Sequence, residues 1–196
     1  MLRSKMTIRK ATKDDADAIA THLLLAMEEL VYTFIGIRDY AKAKELMLHF
    51  TERERNQYSY QNCWVAANEE GVVVAAVNVY DGAHLHALRQ PVIDYITNHY
   101  ARDFKPEDET QAGEFYIDTL GVHPDQQGKG IGTQLLEFLI DEYVRKRGKT
   151  VGLLVDEENP NAKRLYLKLG FKCVGKKVLV GKRLEHLQIK GSANPA

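Results

Sequence analysis

Hydrophobic positions in the first half of the chain alternate between the period of a strand and the period of a helix. The stretch 6–12 sets Ile8 among polar neighbours and predicts a short strand. Thr12 and Asp15 have the spacing of a capping box, which predicts a helix start. The apolar positions of that helix follow at spacings of three and four: Ala16, Ile19, Ala20, Leu23, Met27 and Leu30. A second helix is predicted over about 39–55, and two strands are predicted around a turn at Glu70-Gly71.

The second half continues this alternation and predicts one α/β domain over 1–196. After Asp81-Gly82 the pattern turns helical, with Pro91 expected at the first helical position. The remaining elements are predicted as follows: a strand over 114–122, a helix from about Gly130 to Gly148, a strand over 150–155, a short helix over 159–169, strands within 171–180 and 182–190, and a flexible tail over 191–196.

Composition narrows the class of protein. Lys plus Arg and Asp plus Glu both count 27, so no net charge indicates a nucleic-acid or membrane partner. No uninterrupted apolar run approaches the roughly 20 residues of a membrane span, and the N-terminus has no apolar signal core. Cys63 and Cys173 are far apart and have no metal or redox spacing, which predicts a cytoplasmic protein. His84 and His86 have no third ligand, so no metal site is predicted.

Three glycines at alternate positions, Gly128, Gly130 and Gly132, directly precede the helix that follows strand 114–122. The first turn of a helix has N–H groups without intrahelical partners, and glycine lets a ligand approach that backbone closely. Strand, glycine loop and helix therefore predict an anion site, most often for phosphate, and Lys129 adds a cation. The alternative is a flexible turn.

The loop differs from two nucleotide-binding signatures. The P-loop pattern is absent, and the spacing differs from the dinucleotide fingerprint Gly-x-Gly-x-x-Gly. Asp156 does follow the next strand, as that fingerprint requires. However, five residues (123–127) separate strand from glycines, and only about 40 residues follow Asp156, too few to complete a doubly wound sheet. A Rossmann-like module remains the alternative.

Two motifs resemble the GNAT acetyltransferase superfamily. Residues 127–132, Gln-Gly-Lys-Gly-Ile-Gly, are similar to its Arg/Gln-x-x-Gly-x-Gly/Ala signature, and residues 159–171, NPNAKRLYLKLGF, are similar to its Asn-x-x-Ala-x-x-x-Tyr…Gly-Phe segment. The close match covers about 113–175. The resemblance implies a mixed central sheet flanked by helices, here with a helical insertion (83–112) between the third and fourth strands.

The resemblance also implies where acetyl-CoA binds. In this family the strands corresponding to 114–122 and 150–155 begin side by side and then splay, and the cofactor lies between them. Its pantetheine arm would bond to main-chain groups of Leu120 and Val122, a form of strand addition. Ala162, one turn from Asn159 and Tyr166 on the same face, would let the cofactor pass. The pyrophosphate would rest on the backbone of Gln127, Gly128, Lys129, Gly130, Ile131, Gly132 and Thr133.

Catalytic roles follow by the same resemblance. Tyr166 would sit beside the thioester sulfur and protonate the leaving thiolate, although a Tyr pKa of about 10 against a thiol pKa of about 8.5 makes full transfer uphill. A lysine-like amine, with a pKa of about 10.4, needs a base at neutral pH. Alternation along the strand predicts one face for Glu114, Tyr116, Asp118 and Leu120. Asp118 is the candidate base, with Glu114 or a water chain as alternatives.

The expected function is an acetyl-CoA-dependent N-acetyltransferase that acts on a small-molecule or peptide primary amine by direct transfer. The alternatives are a nucleotide-binding module and an acyl-CoA-binding sensor without acetyl transfer. Segments 31–60 and 83–112 are expected to wall the acceptor pocket or to form a homodimer surface.

Overall fold

The computed structural model describes residues 6–191, so the tail predicted over 191–196 lies, from residue 192 on, outside the described residues. The elements are β1 (Thr7–Lys10), α1 (Ala16–Ile35), α2 (Tyr40–Thr51), β2 (Cys63–Ala67), β3 (Val73–Asp81), α3 (Leu85–Tyr100), β4 (Phe115–Val122), α4 (Ile131–Leu139), β5 (Val151–Asp156), α5 (Pro160–Lys168), β6 (Lys172–Leu179) and β7 (Lys182–Ile189). A π-helical segment, Ile140–Arg145, continues α4. The sequence prediction named each of these strands and helices, with boundaries shifted by a few residues.

Seven strands of residues 6–191 form one sheet, in the order β1-β2-β3-β4-β5-β7-β6. The pairs β1–β2, β2–β3, β5–β7 and β6–β7 are antiparallel. β4 and β5 pair in parallel at their starts, from Phe115 opposite Val151 to Ile117 opposite Leu153. The predicted mixed sheet flanked by helices is confirmed. The parallel pair requires a crossover connection between β4 and β5, and α4 lies in that connection.

The described chain divides into two compact units. The first comprises the residues up to Val79, 86–105 and 119–135, and its core is formed by α1, α2, α3, β2 and β3. Asp15 accepts hydrogen bonds from the backbone and hydroxyl of Thr12 and pairs with Arg9 at 2.7 Å, which confirms the capping box. The second unit comprises 80–85, 106–118 and the residues from Leu136 on. Its buried side chains include Leu139, Ile140, Tyr143, Val151, Leu153, Phe171 and Leu187.

The start of α3 corrects one prediction. The helix begins at Leu85, and Pro91 lies inside it rather than at its first position. A short turn, Gly82–His84, leads into the helix and is capped by Asp81, whose side chain accepts from the Ala83 N–H. Val92 and Ile96 are at most 1% exposed in the core, and this burial offsets the hydrogen bond that proline removes. The insertion is therefore part of the core and not a detachable loop.

The segment Lys13–Ile35 is long and apolar enough, by length and composition, to cross a membrane, with a mean hydropathy of 1.4. The expectation from uninterrupted apolar runs missed it because polar residues such as Asp17 and Thr21 interrupt it. Ile19, Leu23 and Val31 are completely buried in the core of the first unit, so its hydropathy reflects that packing.

Candidate active site

The glycine loop follows β4 within the first unit. A turn at Pro124–Gln126 is capped by His123, whose Nδ1 accepts from the Asp125 N–H. Gly128 and Gly130 have φ values of +74° and +80°, which L side chains rarely adopt. A Cβ added to either glycine would meet no protein atom within 4 Å, so the backbone of the loop has an open side.

The N-terminus of α4 completes this part of the site. Its first bond is donated by the Gln134 N–H to the Gly130 carbonyl at 3.0 Å, so the amides of Ile131, Gly132 and Thr133 are those at the open end of the helix. Their partial positive charge favours an anion. The loop and helix start thus contain the backbone groups of 127–133, and their binding of a phosphate stays a prediction.

Two side chains brace this loop. Gln127 Nε2 donates to the Val122 carbonyl at 3.1 Å, and Lys129 Nζ donates to Gln126 Oε1 at 3.1 Å. Gly132 differs from the other two glycines, since a Cβ there would lie 3.5 Å from Leu120 Cδ2, an ordinary contact. The bracing role of Gln127 is one that the sequence motif by itself does not indicate.

The second predicted motif forms α5, in the second unit. Asn159 caps the helix by accepting from the Ala162 N–H at 3.1 Å, and Gly170, with a φ of +101°, ends it. The Tyr166 ring packs against Phe171, with centroids 6.0 Å apart, and burial raises the pKa of Tyr166. A raised pKa keeps the phenol protonated at neutral pH, so Tyr166 is a hydrogen-bond donor there. The same shift makes complete proton transfer to a thiolate more uphill.

Asp118 lies half-buried on β4 in the second unit, near two buried tyrosines that the sequence analysis did not assign to a site. The Tyr80 hydroxyl donates to Glu109 Oε1 at 2.8 Å, and its ring contacts Tyr116 edge-on at 5.9 Å. Burial, followed by the charges of Asp118 and Glu109, raises the pKa of Tyr80 well above its ordinary value. Tyr80 therefore stays neutral between two carboxylates.

Glu114, the alternative base, is engaged in a buried network. It is 2% exposed; Oε1 accepts from Thr110 Oγ1 at 2.6 Å, and Oε2 lies 2.8 Å from His186 Nε2 and 2.7 Å from Gln188 Nε2. Burial raises the pKa of Glu114, but the bonds from His186, Thr110 and Gln188 outweigh it, and the net pKa is lowered. A Cβ at Gly152 would lie 1.9 Å from the Glu114 carboxylate, so the small residue on β5 makes room for it.

This network leads to a stability prediction. Glu114→Ala is expected to destabilise the protein by about 3 kcal/mol, because it leaves buried donors unpaired, and to lower Tm by about 6–12 °C. Since the folded pKa is lowered, the contribution is present above the ordinary Glu pKa of about 4.3 and is lost as pH falls through the folded value. Calorimetry should therefore show that the Tm difference between the wild type and Glu114→Ala narrows below about pH 4. The exposed Glu137→Ala is the control; a similar Tm loss there would contradict this account.

Strict alternation along β4 predicted one face for Glu114, Tyr116, Asp118 and Leu120, but the burial of the strand does not alternate strictly. The Phe115 ring packs on Tyr143, in the segment that continues α4, with centroids 4.6 Å apart. Farther along β4, it is Leu120 that lies beside Gly132 of α4. Tyr116 and Ile117 are buried in succession, and burial alternates from there to Val122, so a shared face for all four residues stays a prediction.

The two histidines of the insertion lie in a turn and a helix. His84 ends the turn that precedes α3, and His86 follows in its first turn. Within the described range 6–191, no three His, Cys, Asp or Glu side chains are grouped so that they could hold a metal ion.

Comparison with known proteins identifies the family. The Acetyltransferase (GNAT) family model matches residues 24–171. N-alpha-acetyltransferase RimI of Mycobacterium tuberculosis is 44% identical over 62 residues, which cover 32% of this chain and 37% of RimI. An uncharacterized N-acetyltransferase of Archaeoglobus fulgidus is 29% identical over 161 residues, covering 82% of this chain and 89% of that protein.

Solved structures show the same fold. A crystal structure of an acetyltransferase superposes with a TM-score of 0.76 at 29% identity, covering 94% of this chain and 98% of that one. YncA of Salmonella typhimurium, solved with its cofactor acetyl-CoA, has a TM-score of 0.54 at 23% identity, with 98% of each chain covered. The family model spans most of the chain and includes both motifs of the candidate site. The chain therefore belongs to the GNAT acetyltransferase family.

Proposed function

We propose that this protein is an acetyl-CoA-dependent N-acetyltransferase that moves the acetyl group to a primary amine within a ternary complex. The observation that carries the proposal is the glycine loop, with two open left-handed glycines directly before the free amides of α4. Such a site suits a pyrophosphate. YncA, which has the same fold, binds acetyl-CoA, and this supports the same cofactor here.

The reaction assigns each group a task. Asp118 accepts one proton from the ammonium form of the acceptor, directly or through water. The neutral amine then attacks the thioester carbonyl carbon, the C–N bond forms and the C–S bond breaks. The second proton that the nitrogen loses passes through solvent to the leaving thiolate, so that CoA departs as the thiol. Tyr166, kept protonated by burial, donates a hydrogen bond to the sulfur as negative charge develops on it. Glu114 is fully occupied by its own network and holds the start of β4 instead.

The test separates the proposal from its alternatives. Calorimetry with acetyl-CoA and, separately, with NADH should show binding of acetyl-CoA only. Free CoA release should then be measured with a panel of polyamines, amino acids, aminoglycosides and peptides with free N-termini. Binding of NADH would favour the nucleotide module, and acetyl-CoA binding without turnover on any amine would favour the sensor.

The glycine loop yields a binding prediction with a matched control. Gly130→Val places a branched side chain on the open side of the loop and is expected to weaken acetyl-CoA binding at least tenfold, about 1.4 kcal/mol. Gly71 in the β2–β3 turn has nearly the same φ, +81°, and equally open surroundings, so Gly71→Val controls for backbone strain. Equal affinity of the two variants by calorimetry would show that the loop does not bind the phosphate.

Gly132→Ala should have the opposite outcome. Its Cβ would make only ordinary contacts with Leu120 and Val122, at 3.5 and 3.7 Å, and Gly132 lies in the helix. Because alanine favours a helix over glycine by about 1 kcal/mol, Tm should rise while acetyl-CoA affinity stays within about twofold. A tenfold loss of affinity would mean that the ligand approaches Gly132 on its Leu120 side.

A further inference from the structure

One stretch of this electrically neutral chain is strongly cationic. Residues 160–184 contain eight Lys and Arg and no Asp or Glu. The whole chain has 27 basic and 27 acidic residues, so 19 basic and 27 acidic residues lie outside this stretch. Three of these cations pair with acids just outside the stretch: Lys163 with Glu185, Lys176 with Glu157 and Lys182 with Asp156. The stretch spans α5, β6 and the start of β7, all within the second unit.

β6 is the outermost strand at its end of the sheet, and it is exposed along most of its length. Three aliphatic side chains of this hairpin are solvent-exposed. Val178 is 60% exposed, Val174 is 48% exposed, and Val180, in the turn after β6, is 49% exposed. Val174 is the bulged residue, and from Gly175 to Leu179 the strand pairs regularly with β7. A regular edge strand offers unpaired backbone groups on its outer side, together with this cationic and aliphatic surface.

The exposed face of the β6–β7 hairpin carries a cleft of about 240 Å³. Lys176, Lys177, Val178 and Arg183 line it, with Glu157 beside Lys176. We use the name hairpin surface for Lys172, Val174, Lys176, Val178, Val180 and Arg183.

An acidic segment of this same chain already contacts the hairpin. In the segment 106–113, Glu107 Oε2 accepts from the Val180 N–H at 3.4 Å, and the Asp108 carbonyl accepts from Lys177 Nζ at 3.1 Å. The hairpin therefore bonds to an acidic segment through both a backbone N–H and a lysine. This is the combination that a bound acidic peptide would use.

We propose that the hairpin surface docks an extended acidic segment of a partner protein, which adds to the edge of β6 as a further strand. Acidic side chains would pair with Lys176 and Arg183, and aliphatic side chains would cover Val178 and Val180. Main-chain bonds to β6 would supply affinity and the alternating side chains specificity. This docking role is separate from acetyl transfer.

Two other occupants fit the surface less well. A second copy of the chain, paired through the same edge, would bring two sets of lysines together, and like charges directly opposite each other are unfavourable. A nucleic acid would neutralise the cations, but binding of single strands relies on aromatic platforms, and the hairpin surface carries aliphatic valines. An acidic peptide with alternating aliphatic residues satisfies both the charge and the exposed valines.

The experiment uses the full chain saturated with acetyl-CoA and a fluorescein-labelled peptide of five Glu-Val repeats, with binding followed by fluorescence anisotropy. Lys176→Glu with Arg183→Glu should weaken binding at least tenfold. The control Lys105→Glu with Arg145→Glu changes the net charge equally at side chains that are 81% and 70% exposed elsewhere, and should leave binding within about twofold. A peptide with proline at alternate valines keeps its charge but loses backbone donors and should bind at least tenfold more weakly.

Each contrary result overturns the proposal. These results are no binding of the Glu-Val peptide, equal binding of the proline peptide, or equal loss in both charge-reversal variants. Equally tight binding of a ten-residue oligothymidylate would show a general polyanion surface. Competition between the peptide and acetyl-CoA would assign the surface to the cofactor site. Dimerisation through the hairpin, detected by sedimentation and abolished by Lys176→Glu with Arg183→Glu, would identify a second copy as the occupant. None of these outcomes depends on whether acetyl transfer is observed.

Discussion

Replacing Tyr166 by Phe is expected to lower kcat by about 10²-fold while acetyl-CoA affinity stays within about twofold. The substitution removes only the hydroxyl, since the ring contact with Phe171 is retained. Without that donor, negative charge on the leaving sulfur loses a hydrogen bond that forms fully only in the transition state. Burial raises the pKa of Tyr166, so the wild-type phenol stays protonated through neutral pH, and the ratio of variant to wild-type rates should be constant from about pH 6 to 9.

The matched control is Tyr100→Phe, which removes another half-buried phenol whose pKa is also raised by burial. Steady-state kinetics and calorimetry on both variants decide the matter. Wild-type kcat in Tyr166→Phe would exclude the sulfur-side role. A parallel loss of acetyl-CoA affinity would assign Tyr166 to cofactor binding instead.

Asp118→Asn is expected to lower kcat by about 10²-fold at pH 7 and to recover part of that loss as pH rises toward about 9–10. A lysine-like amine has a pKa of about 10.4, so its neutral fraction grows roughly tenfold per pH unit below that value, and the need for a base declines. Acetyl-CoA affinity should change little, because the proposed phosphate site is made of backbone groups from the loop before α4.

Glu109→Gln is the control for charge alone. Both substitutions remove one negative charge beside Tyr80, and only Asp118 is proposed to accept the proton. A pH–rate profile should therefore show a loss with alkaline recovery in Asp118→Asn and no such pattern in Glu109→Gln. Neutral-pH activity of Asp118→Asn equal to wild type would move the base elsewhere, to a water chain or another side chain.

Local chemistry explains which parts of the fold the sequence could predict. The capping box at Thr12 and Asp15 and the Asn159 cap with its Gly170 stop depend on neighbours within a few residues, and each is confirmed. Periodic hydrophobic positions likewise identified the strands and helices of the chain. Pro91 is the exception, because proline at a first helical position is only a local preference, whereas α3 begins at Leu85, directly after the turn that Asp81 caps.

The candidate site divides in the same way. The glycine loop and α5 could be located from sequence because each is a continuous motif whose backbone chemistry is local: positive φ at Gly128 and Gly130, free amides at a helix start, and a capped helix that carries Tyr166. Their spacing also matched the family that the comparisons then identified.

The surroundings of the β4 carboxylates could not be predicted in this way. Glu114 looked like an alternative base, but besides the nearby Thr110 its partners are His186 and Gln188, which lie more than 70 residues away in the sequence. The pairing of Tyr80 with Glu109 likewise joins a strand to the far end of the insertion.

The sequence by itself therefore determined the order of elements, the two motifs, the family resemblance and the chemistry of the anion site, because these depend on period, capping and glycine conformation within short segments. Tertiary structure alone decided that the insertion is part of the core and that Glu114 is a buried, hydrogen-bonded carboxylate. The physical reason is that burial and hydrogen-bond partners arise from contacts between residues far apart in sequence, and these contacts set the pKa and availability of each carboxylate.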